Sequence, residues 1–223
     1  EVLQTVSNCD VSDMAHPFGR AQKIGIAGCP VLALRITYVG ELGWELHMPV
    51  EYAQTVYEKL QEAGVPYGLR NAGYRAIETL RLEKGYRAWS SDIGPDHTPD
   101  EAGLGWAVKM QSNIPFKGRD AVASQRLQGV KKIMTTFTTN GDAVLCGRET
   151  IYRNGERCGW LSSAGYGFTI GKSIGMGFVR SETSIDSDYV MIGKYKLEVA
   201  GKLVNAEVTL DPLYDPKSKK VKA

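Results

Sequence analysis

The sequence lacks most of the short motifs that assign a chain directly to a class of enzyme. Its three histidines, His16, His47 and His97, form neither an H-E-x-x-H motif nor a cluster with cysteines, which argues against zinc catalysis. It has no Gly-x-Ser-x-Gly motif, which disfavours a serine hydrolase. Gly103-Leu104-Gly105 lacks the third glycine of a dinucleotide-binding fingerprint, so we expect no Rossmann site in this chain.

A nucleoside triphosphate site is disfavoured by the spacing of glycines in residues 164–173. This stretch ends in Gly171-Lys172-Ser173, as a phosphate-binding loop does. The loop motif needs a second glycine at the position that Tyr166 occupies, and it needs a strand before it and a helix after it. We therefore interpret residues 164–173 as a glycine-rich surface loop with an aromatic side chain packed beneath it.

Cysteine pairs, long apolar runs and an excess of one charge are also missing. The four cysteines form no C-x-x-C pair, which favours free thiols in a reducing compartment over a disulfide framework. No stretch approaches about 18 consecutive apolar residues, so we expect no membrane span, and no signal peptide is visible. The net charge of +2 indicates no particular partner. The C-terminal lysines are interpreted as a solvated tail and not as a nucleic-acid-binding arm.

What the chain does contain is a change of pattern just past its middle. Its composition, 43% hydrophobic and 23% charged, is ordinary for a globular protein. Predicted helices and strands are mixed up to residue 129, whereas the later segments are short strands separated by turns. We therefore predict an α+β domain over residues 1–129, followed by an all-β domain, a barrel or a sandwich, over residues 130–223.

In the first domain, apolar periodicity and turn signals give the expected elements. Residues 1–20 are expected to be irregular, and strands are predicted over residues 23–27, 31–38, 44–48 and 106–110. The first two strands are expected to form a hairpin that turns at Gly28-Cys29-Pro30. Helices are predicted over residues 51–63, 72–84 and 118–127. Thr98, Pro99 and Glu101 form the pattern of a capping box at the start of a short helical turn.

In the second domain, we predict seven short strands. Asn154-Gly155 is the strongest hairpin signal of the chain, because both residues accept the positive φ angles of a type I′ turn. Ala200-Gly201 marks a second turn. The strands are predicted over residues 132–138, 149–153, 156–162, 174–179, 189–192, 196–199 and 203–210.

Glu83 is the strongest single candidate for a functional residue. It lies on the same helix face as Ala76 and Leu80, where an apolar side chain would be expected. A buried carboxylate needs a partner, because an unpaired buried charge is very costly. One interpretation is a structural ion pair with Arg75, Arg81 or Arg87. The other is a carboxylate that faces a polar heterocycle and accepts two parallel hydrogen bonds from its ring N–H and adjacent amino group.

Two loop carboxylates, Asp92 and Asp96, flank a turn after this helix. Aspartate at such positions usually hydrogen-bonds the backbone of its own turn. We therefore interpret both as turn-capping residues.

Four segments together resemble the aminomethyltransferase (glycine-cleavage T-protein) family. They are Tyr38-Val39-Gly40-Glu41-Leu42-Gly43-Trp44-Glu45-Leu46, Leu80-Arg81-Leu82-Glu83-Lys84-Gly85, Thr98-Pro99-Asp100-Glu101-Ala102-Gly103-Leu104 and Phe116-Lys117-Gly118-Arg119. Each motif is weak alone, whereas four in the same order and spacing are specific. The sequence of these segments is most similar to the tetrahydrofolate-binding C-terminal portion of sarcosine and dimethylglycine dehydrogenases. The resemblance covers essentially the whole chain.

The resemblance implies a tetrahydrofolate-binding α+β domain, incomplete at its N-terminus, followed by a C-terminal β-barrel. It implies that the carboxylate of Glu83 holds the pterin ring, and that Tyr38, Glu41, Trp44 and Arg87 contribute to the folate site. In such dehydrogenases, an N-terminal FAD domain of the same polypeptide oxidises a small amine substrate. Folate then captures the one-carbon unit as 5,10-methylenetetrahydrofolate. The family implies no nucleic acid or membrane partner.

The sequence departs from the family pattern in two places. The family's catalytic aspartate would lie upstream, so we expect no catalytic residue in this chain, which starts at Glu1 and reads as a fragment or processed product. The arginine that often precedes the F-x-G-[RK] motif is replaced by Ser112-Asn113-Ile114-Pro115.

Two alternatives to the dehydrogenase-like assignment remain open. One is a non-catalytic regulatory subunit of the pyruvate dehydrogenase phosphatase type, and the other is a stand-alone T-protein. The resemblance implies a location in the mitochondrial matrix for a eukaryotic source, or in the cytoplasm for a bacterial one.

Overall fold

The computed structural model describes residues 1–140 and 143–223, which divide into two compact units. The first unit comprises Glu1–Ile77 together with Lys217–Ala223. The second unit comprises Glu78–Pro216. Among the described residues, no helix combines the length and the apolarity that crossing a bilayer requires.

The first unit contains a small antiparallel sheet, two complete α-helices, a 3-10 helix (Val65–Tyr67) and the start of a further helix. The complete α-helices are α1 (Val2–Val6) and α2 (Val50–Gly64), and the strands, in sheet order, are β1 (Ala21–Ile26), β2 (Cys29–Leu34) and β3 (Glu45–His47). Side chains that alternate along β1 and β2 are buried together with Val56 of α2, which forms one apolar core. The predicted hairpin and the helix over residues 51–63 are confirmed.

The start of the chain and the hairpin turn differ in detail from the sequence interpretation. Residues 2–6, expected to be irregular, form α1, and its Leu3 is buried in the core of the first unit. The hairpin turns at Ala27 and Gly28, which have φ angles of 50° and 79°. Burial of one apolar side chain stabilises a helix that is too short to be marked by periodicity alone.

Helical segments and loops open the second unit. Helix α3 (Tyr74–Glu83) begins in the first unit and ends in the second, and α4 (Arg119–Gln128) is the predicted third helix. The capping box is confirmed, because the Thr98 N–H donates to Glu101 Oε2 at 2.9 Å and the Glu101 N–H donates to Thr98 Oγ1 at 3.4 Å.

The strand predicted over residues 106–110 is wrong. Gly105–Ala107 forms a 3-10 helix, in which the Ala107 and Val108 N–H groups donate to carbonyl groups three residues back. Trp106, whose side chain suggested a buried strand, is 76% exposed. A side chain this exposed gains little of the packing against neighbouring strands that favours aromatic residues in sheets.

The rest of the second unit is a closed antiparallel barrel with the strand order β4-β7-β6-β5-β8-β9. Pairing of Phe137 with Val208 joins the last strand to the first and closes the barrel. The strands are β4 (Val130–Thr139), β5 (Thr150–Arg153), β6 (Glu156–Gly167), β7 (Lys172–Ile185), β8 (Tyr195–Val199) and β9 (Lys202–Thr209). Both predicted turns are confirmed, with positive φ angles at Asn154, Gly155, Ala200 and Gly201.

Two predictions in the barrel are wrong. Residues 189–192 are not a strand, since Ser187–Met191 forms a short helix, α5, whose N-cap Asp186 accepts the Tyr189 N–H at 2.8 Å. Most of residues 164–173 belong to β6 and β7 and not to a long surface loop. Phe168, in the short turn between these strands, is 77% exposed and therefore does not pack beneath the turn.

The barrel core depends on glycines at which strands approach closely. Phe137, Ile151, Leu161, Val179 and Leu197 have no exposed surface. A Cβ atom on Gly159 would lie 2.1 Å from the carbonyl oxygen of Phe178, which belongs to the backbone and cannot rotate away.

Replacement of Gly159 by alanine is therefore expected to destabilise the protein by about 1–3 kcal/mol, because the new methyl group forces β6 and β7 apart. Urea unfolding of both proteins measures the difference. The control is Gly94→Ala, since a Cβ atom there has no neighbour within 4 Å, and its effect should stay within about 0.5 kcal/mol. Equal effects of the two substitutions would contradict this account.

The four cysteines are all free and differ in exposure. Cys29 is buried and Cys146 is exposed. Cys158 is partly buried, and this burial raises the pKa of its thiol to about 11. Its reactive thiolate form is therefore scarce at neutral pH.

Iodoacetamide at about pH 8 is expected to alkylate Cys146 well before Cys158, because only about one Cys158 thiol in a thousand is ionised there. As the pH rises towards 11, labelling of Cys158 should accelerate steeply. Peptide mass spectrometry measures both rates, and the urea-unfolded chain, in which burial is lost, is the control. Rapid labelling of folded Cys158 at the lower pH would refute the effect of burial.

Candidate functional site

The C-terminal end of α3 buries a run of four residues, of which three carry charged groups. Arg81, Leu82, Glu83 and Lys84 are each only 2% exposed. Leu82 packs with Met176 and Phe178 of β7 and with other apolar residues in a core cluster. Arg81, Glu83 and Lys84 contact different segments of the second unit. The Leu80–Gly85 motif therefore holds these segments together as well as providing a candidate site.

The carboxylate of Glu83 lies against the turn between β6 and β7. Its Oε1 accepts the Thr169 N–H at 2.7 Å and the Ile170 N–H at 3.4 Å. Gly167 permits this approach, since a Cβ atom there would lie 3.1 Å from Oε1. Its other oxygen, Oε2, accepts no hydrogen bond from the described residues of the second unit. This oxygen keeps its capacity to accept hydrogen bonds.

The expected ion pair of Glu83 with Arg81 does not form, because Arg81 has other partners. Its Nη1 donates to Asp92 Oδ2 at 2.7 Å, and its Nη2 donates to Ser163 Oγ at 2.8 Å. Glu78, one turn earlier, accepts from Nε at 3.1 Å and from Nη2 at 2.9 Å. The guanidinium group is thus satisfied by two carboxylates, one hydroxyl group and the carbonyl oxygen of Tyr86, which lies 3.3 Å from Nη1.

Asp92 has a larger role than the turn cap expected from the sequence. It is 1% exposed and accepts the Ala88 N–H at 2.9 Å, as a turn cap would. It also pairs with Arg81 and accepts the hydroxyl of Ser162. By contrast, the side chain of Asp96 is exposed.

Lys84 and Arg87 also contact the backbone around the end of α3. Lys84 Nζ donates to the carbonyl oxygen of Asp215 at 2.6 Å and lies 3.2 Å from its carboxylate. Arg87 Nε donates to the carbonyl oxygen of Ala102 at 3.0 Å, and its Nη1 donates to that of Gly85. Burial lowers the pKa of Arg87, while the negative charge of Asp92 acts in the opposite direction.

The other three predicted folate-site residues belong to the first unit. Tyr38 is 37% exposed, and Glu41 Oε1 lies 3.9 Å from Lys220 Nζ. Trp44 contacts the edge of His16 with ring centres 4.6 Å apart, and the guanidinium of Arg35 lies 5.9 Å from its ring centre. Of the five predicted folate-site residues, Glu83 and Arg87 therefore belong to the second unit and the other three to the first.

Sequence reasoning missed the residues that surround Glu83. Thr169 binds the carboxylate through its backbone, a role that no side-chain pattern reveals. Tyr166 and Phe168, two residues apart beside this turn, form an edge-to-face pair with ring centres 5.2 Å apart. Their alternation with Gly165 and Gly167 was the available signal, but we interpreted it as a structural loop.

The stretch that departs from the family pattern is held by the arginine that follows it. Arg119 donates to the carbonyl oxygen of Ser112 at 2.7 Å and to that of Met110 at 2.6 Å. Its guanidinium therefore fixes the backbone of this stretch.

Two family models match the chain in succession. The GCVT N-terminal domain matches residues 1–112, and the glycine cleavage T-protein C-terminal barrel domain matches residues 131–215. The chain therefore belongs to the glycine cleavage T-protein (aminomethyltransferase) family, and the resemblance inferred from its four motifs is confirmed. The boundary at residue 129 stays a prediction.

Individual relatives agree with this assignment. The chain is 41% identical over 224 residues to the mitochondrial sarcosine dehydrogenase of Mus musculus, an alignment that covers 100% of this chain and 24% of the relative. It is 36% identical over 193 residues to an aminomethyltransferase of Caldanaerobacter subterraneus, which covers 86% of this chain and 50% of the relative. The chain thus spans about a quarter of the first relative and half of the second.

A solved structure shows the same fold. The crystal structure of the glycine cleavage system aminomethyltransferase T from Bartonella henselae superposes with a TM-score of 0.80 at 23% identity. The superposition covers 96% of this chain and 56% of that chain. The predicted fold, an α+β domain followed by a β-barrel, is confirmed.

Replacement of Asp92 by asparagine is expected to destabilise the fold by about 3 kcal/mol, because Arg81 would keep its buried charge and lose a buried carboxylate. Thermal and urea unfolding measure the loss. The matched control is Asp96→Asn, an identical change at an exposed side chain, which should stay within about 0.5 kcal/mol. If both variants were equally stable, the ion pair would not hold this region together.

Proposed function

We propose that this chain is the tetrahydrofolate-binding, one-carbon-transfer portion of a protein like the sarcosine and dimethylglycine dehydrogenases. The observation that carries the proposal is the position of Glu83 within a chain of this family. Its carboxylate is buried, is held by backbone N–H groups and forms no ion pair within the described part of its unit. A carboxylate in this state suits a neutral ligand that donates hydrogen bonds.

The residues present fit a pterin ring. A carboxylate has about four lone-pair positions, so Oε1 can accept from Thr169 while Oε2 accepts from a ligand. The backbone contacts fix the orientation of the carboxylate before a ligand arrives, which reduces the entropy lost on binding. The paired rings of Tyr166 and Phe168 offer apolar surface near the same turn.

Tetrahydrofolate, when bound, supplies the amine that takes up the one-carbon unit. The role of this chain is then to bind and orient the folate and to keep water away from a hydrolysable one-carbon group. Glu83 orients the pterin in this proposal, and Tyr38, Glu41, Trp44 and Arg87 contribute further contacts. No residue of this chain is assigned a catalytic role.

The remaining steps belong to the whole protein. A separate FAD domain on the same polypeptide would oxidise a small N-methyl amine and deliver the one-carbon unit. For a eukaryotic source, the mitochondrial sarcosine dehydrogenase relative supports a location in the matrix.

Replacement of Glu83 by glutamine is expected to weaken tetrahydrofolate binding by about tenfold or more, because a charge-assisted hydrogen bond becomes a neutral one. Isothermal titration calorimetry of the intact protein measures both affinities. The glutamine side-chain oxygen can still accept the Thr169 N–H, so the fold should be retained.

The matched control is Glu58→Gln, the same change on the exposed face of α2, which should leave the affinity unchanged. Equal affinity of the Glu83→Gln variant and the parent protein would remove Glu83 from the folate site. A parent protein that does not bind tetrahydrofolate would overturn the proposal and favour a regulatory role.

A further inference from the structure

The second unit has a cavity of about 680 Å³. The residues that line it are distant in the sequence from the end of α3. It is lined by the β5–β6 hairpin, the end of β7 and the short helix α5, and it includes none of the five predicted folate-site residues. Its most prominent side chains are three arginines, Arg153, Arg157 and Arg180.

Two of these arginines are held in place by aromatic rings. The guanidinium carbon of Arg180 lies 4.5 Å from the ring centre of Trp160, and that of Arg153 lies 3.7 Å from the ring centre of Tyr189. A cation–π contact is made to the ring face and does not supply an oxygen acceptor, so the N–H groups keep their capacity to donate hydrogen bonds. The rings therefore orient the cations without satisfying their donors.

Few of the N–H donors of these arginines have an acceptor among the described protein residues. The Nε atoms of Arg153 and Arg180 are enclosed and have no hydrogen-bond partner. Arg153 Nη2 donates to the carbonyl oxygen of Tyr189 at 2.8 Å. Within residues 1–140 and 143–223, the guanidinium groups of Arg157 and Arg180 donate no hydrogen bond. Charged donors that lack acceptors favour an oxyanion that supplies them.

The negative groups of the cavity do not neutralise the arginines by contact. Glu156 and Glu182 line the cavity and are exposed, and neither forms an ion pair in the part of the chain that the structure describes. The thiol of Cys158 has its pKa raised by burial to about 11, so it carries no charge at neutral pH. Three cations therefore face two solvated carboxylates.

We propose that this cavity binds a small molecule that carries phosphate or carboxylate groups, through the guanidinium groups of Arg153, Arg157 and Arg180. Guanidinium groups match the paired oxygen atoms of such anions. A volume of about 680 Å³ exceeds the needs of a single inorganic ion and is typical of a small-molecule site. This proposal does not depend on folate binding at Glu83.

The test titrates the intact protein with pyrophosphate and with citrate, two polyanions that separate phosphate from carboxylate recognition, by isothermal titration calorimetry. At least one should bind, and Arg157→Gln should weaken it by about tenfold or more, because charge-assisted hydrogen bonds are lost. Arg180→Gln should weaken it similarly, and melting temperatures show whether this less exposed residue also affects folding. The preferred probe identifies the anionic group of the ligand.

The control is Arg148→Gln, which removes the same charge from an exposed position of the same unit and should change the affinity less than about twofold. The proposal is overturned if neither probe binds at about 10 mM. It is also overturned if Arg148→Gln weakens binding as much as Arg157→Gln, since the anion would then respond only to net charge.

Discussion

Burial of three charged side chains, those of Arg81, Glu83 and Lys84, at the end of α3 is the constraint on which the surrounding structure depends. A buried charge is tolerated only where partners are held in fixed positions. Arg81 therefore requires Asp92, Lys84 requires Asp215, and Glu83 requires the backbone of residues 169–170. One helix end thus fixes a loop, a barrel turn and a segment near the C-terminus, although they are far apart in the sequence.

The sequence was enough to single out Glu83 but not to find its partner. A carboxylate on an apolar helix face is a local anomaly that periodicity reveals. Its partner is a backbone N–H group 86 residues away, which any residue other than proline provides and which therefore leaves no side-chain signal. The nearest arginines were plausible candidates, but Arg81 is taken by Asp92 and Arg87 by carbonyl groups.

The fold was predictable where strong turn signals met regular periodicity. Asn154-Gly155 gave its hairpin correctly, because positive φ angles limit the choice of residues. The sequence predictions are wrong where apolar or aromatic side chains have no partner strand to pair with. Trp106 is exposed on a 3-10 turn, and Tyr189 lies in a helix that the aspartate cap of Asp186 starts.

The backbone contact between Glu83 and Thr169 has a consequence for how this family can diversify. The carboxylate is positioned by a peptide group, so its orientation does not depend on the side chains of the turn that holds it. Residues 168 and 169 can acquire new side chains while the carboxylate stays in place, provided that proline does not remove the N–H of residue 169. The side chains of the turn can therefore change without altering the position of the Glu83 carboxylate.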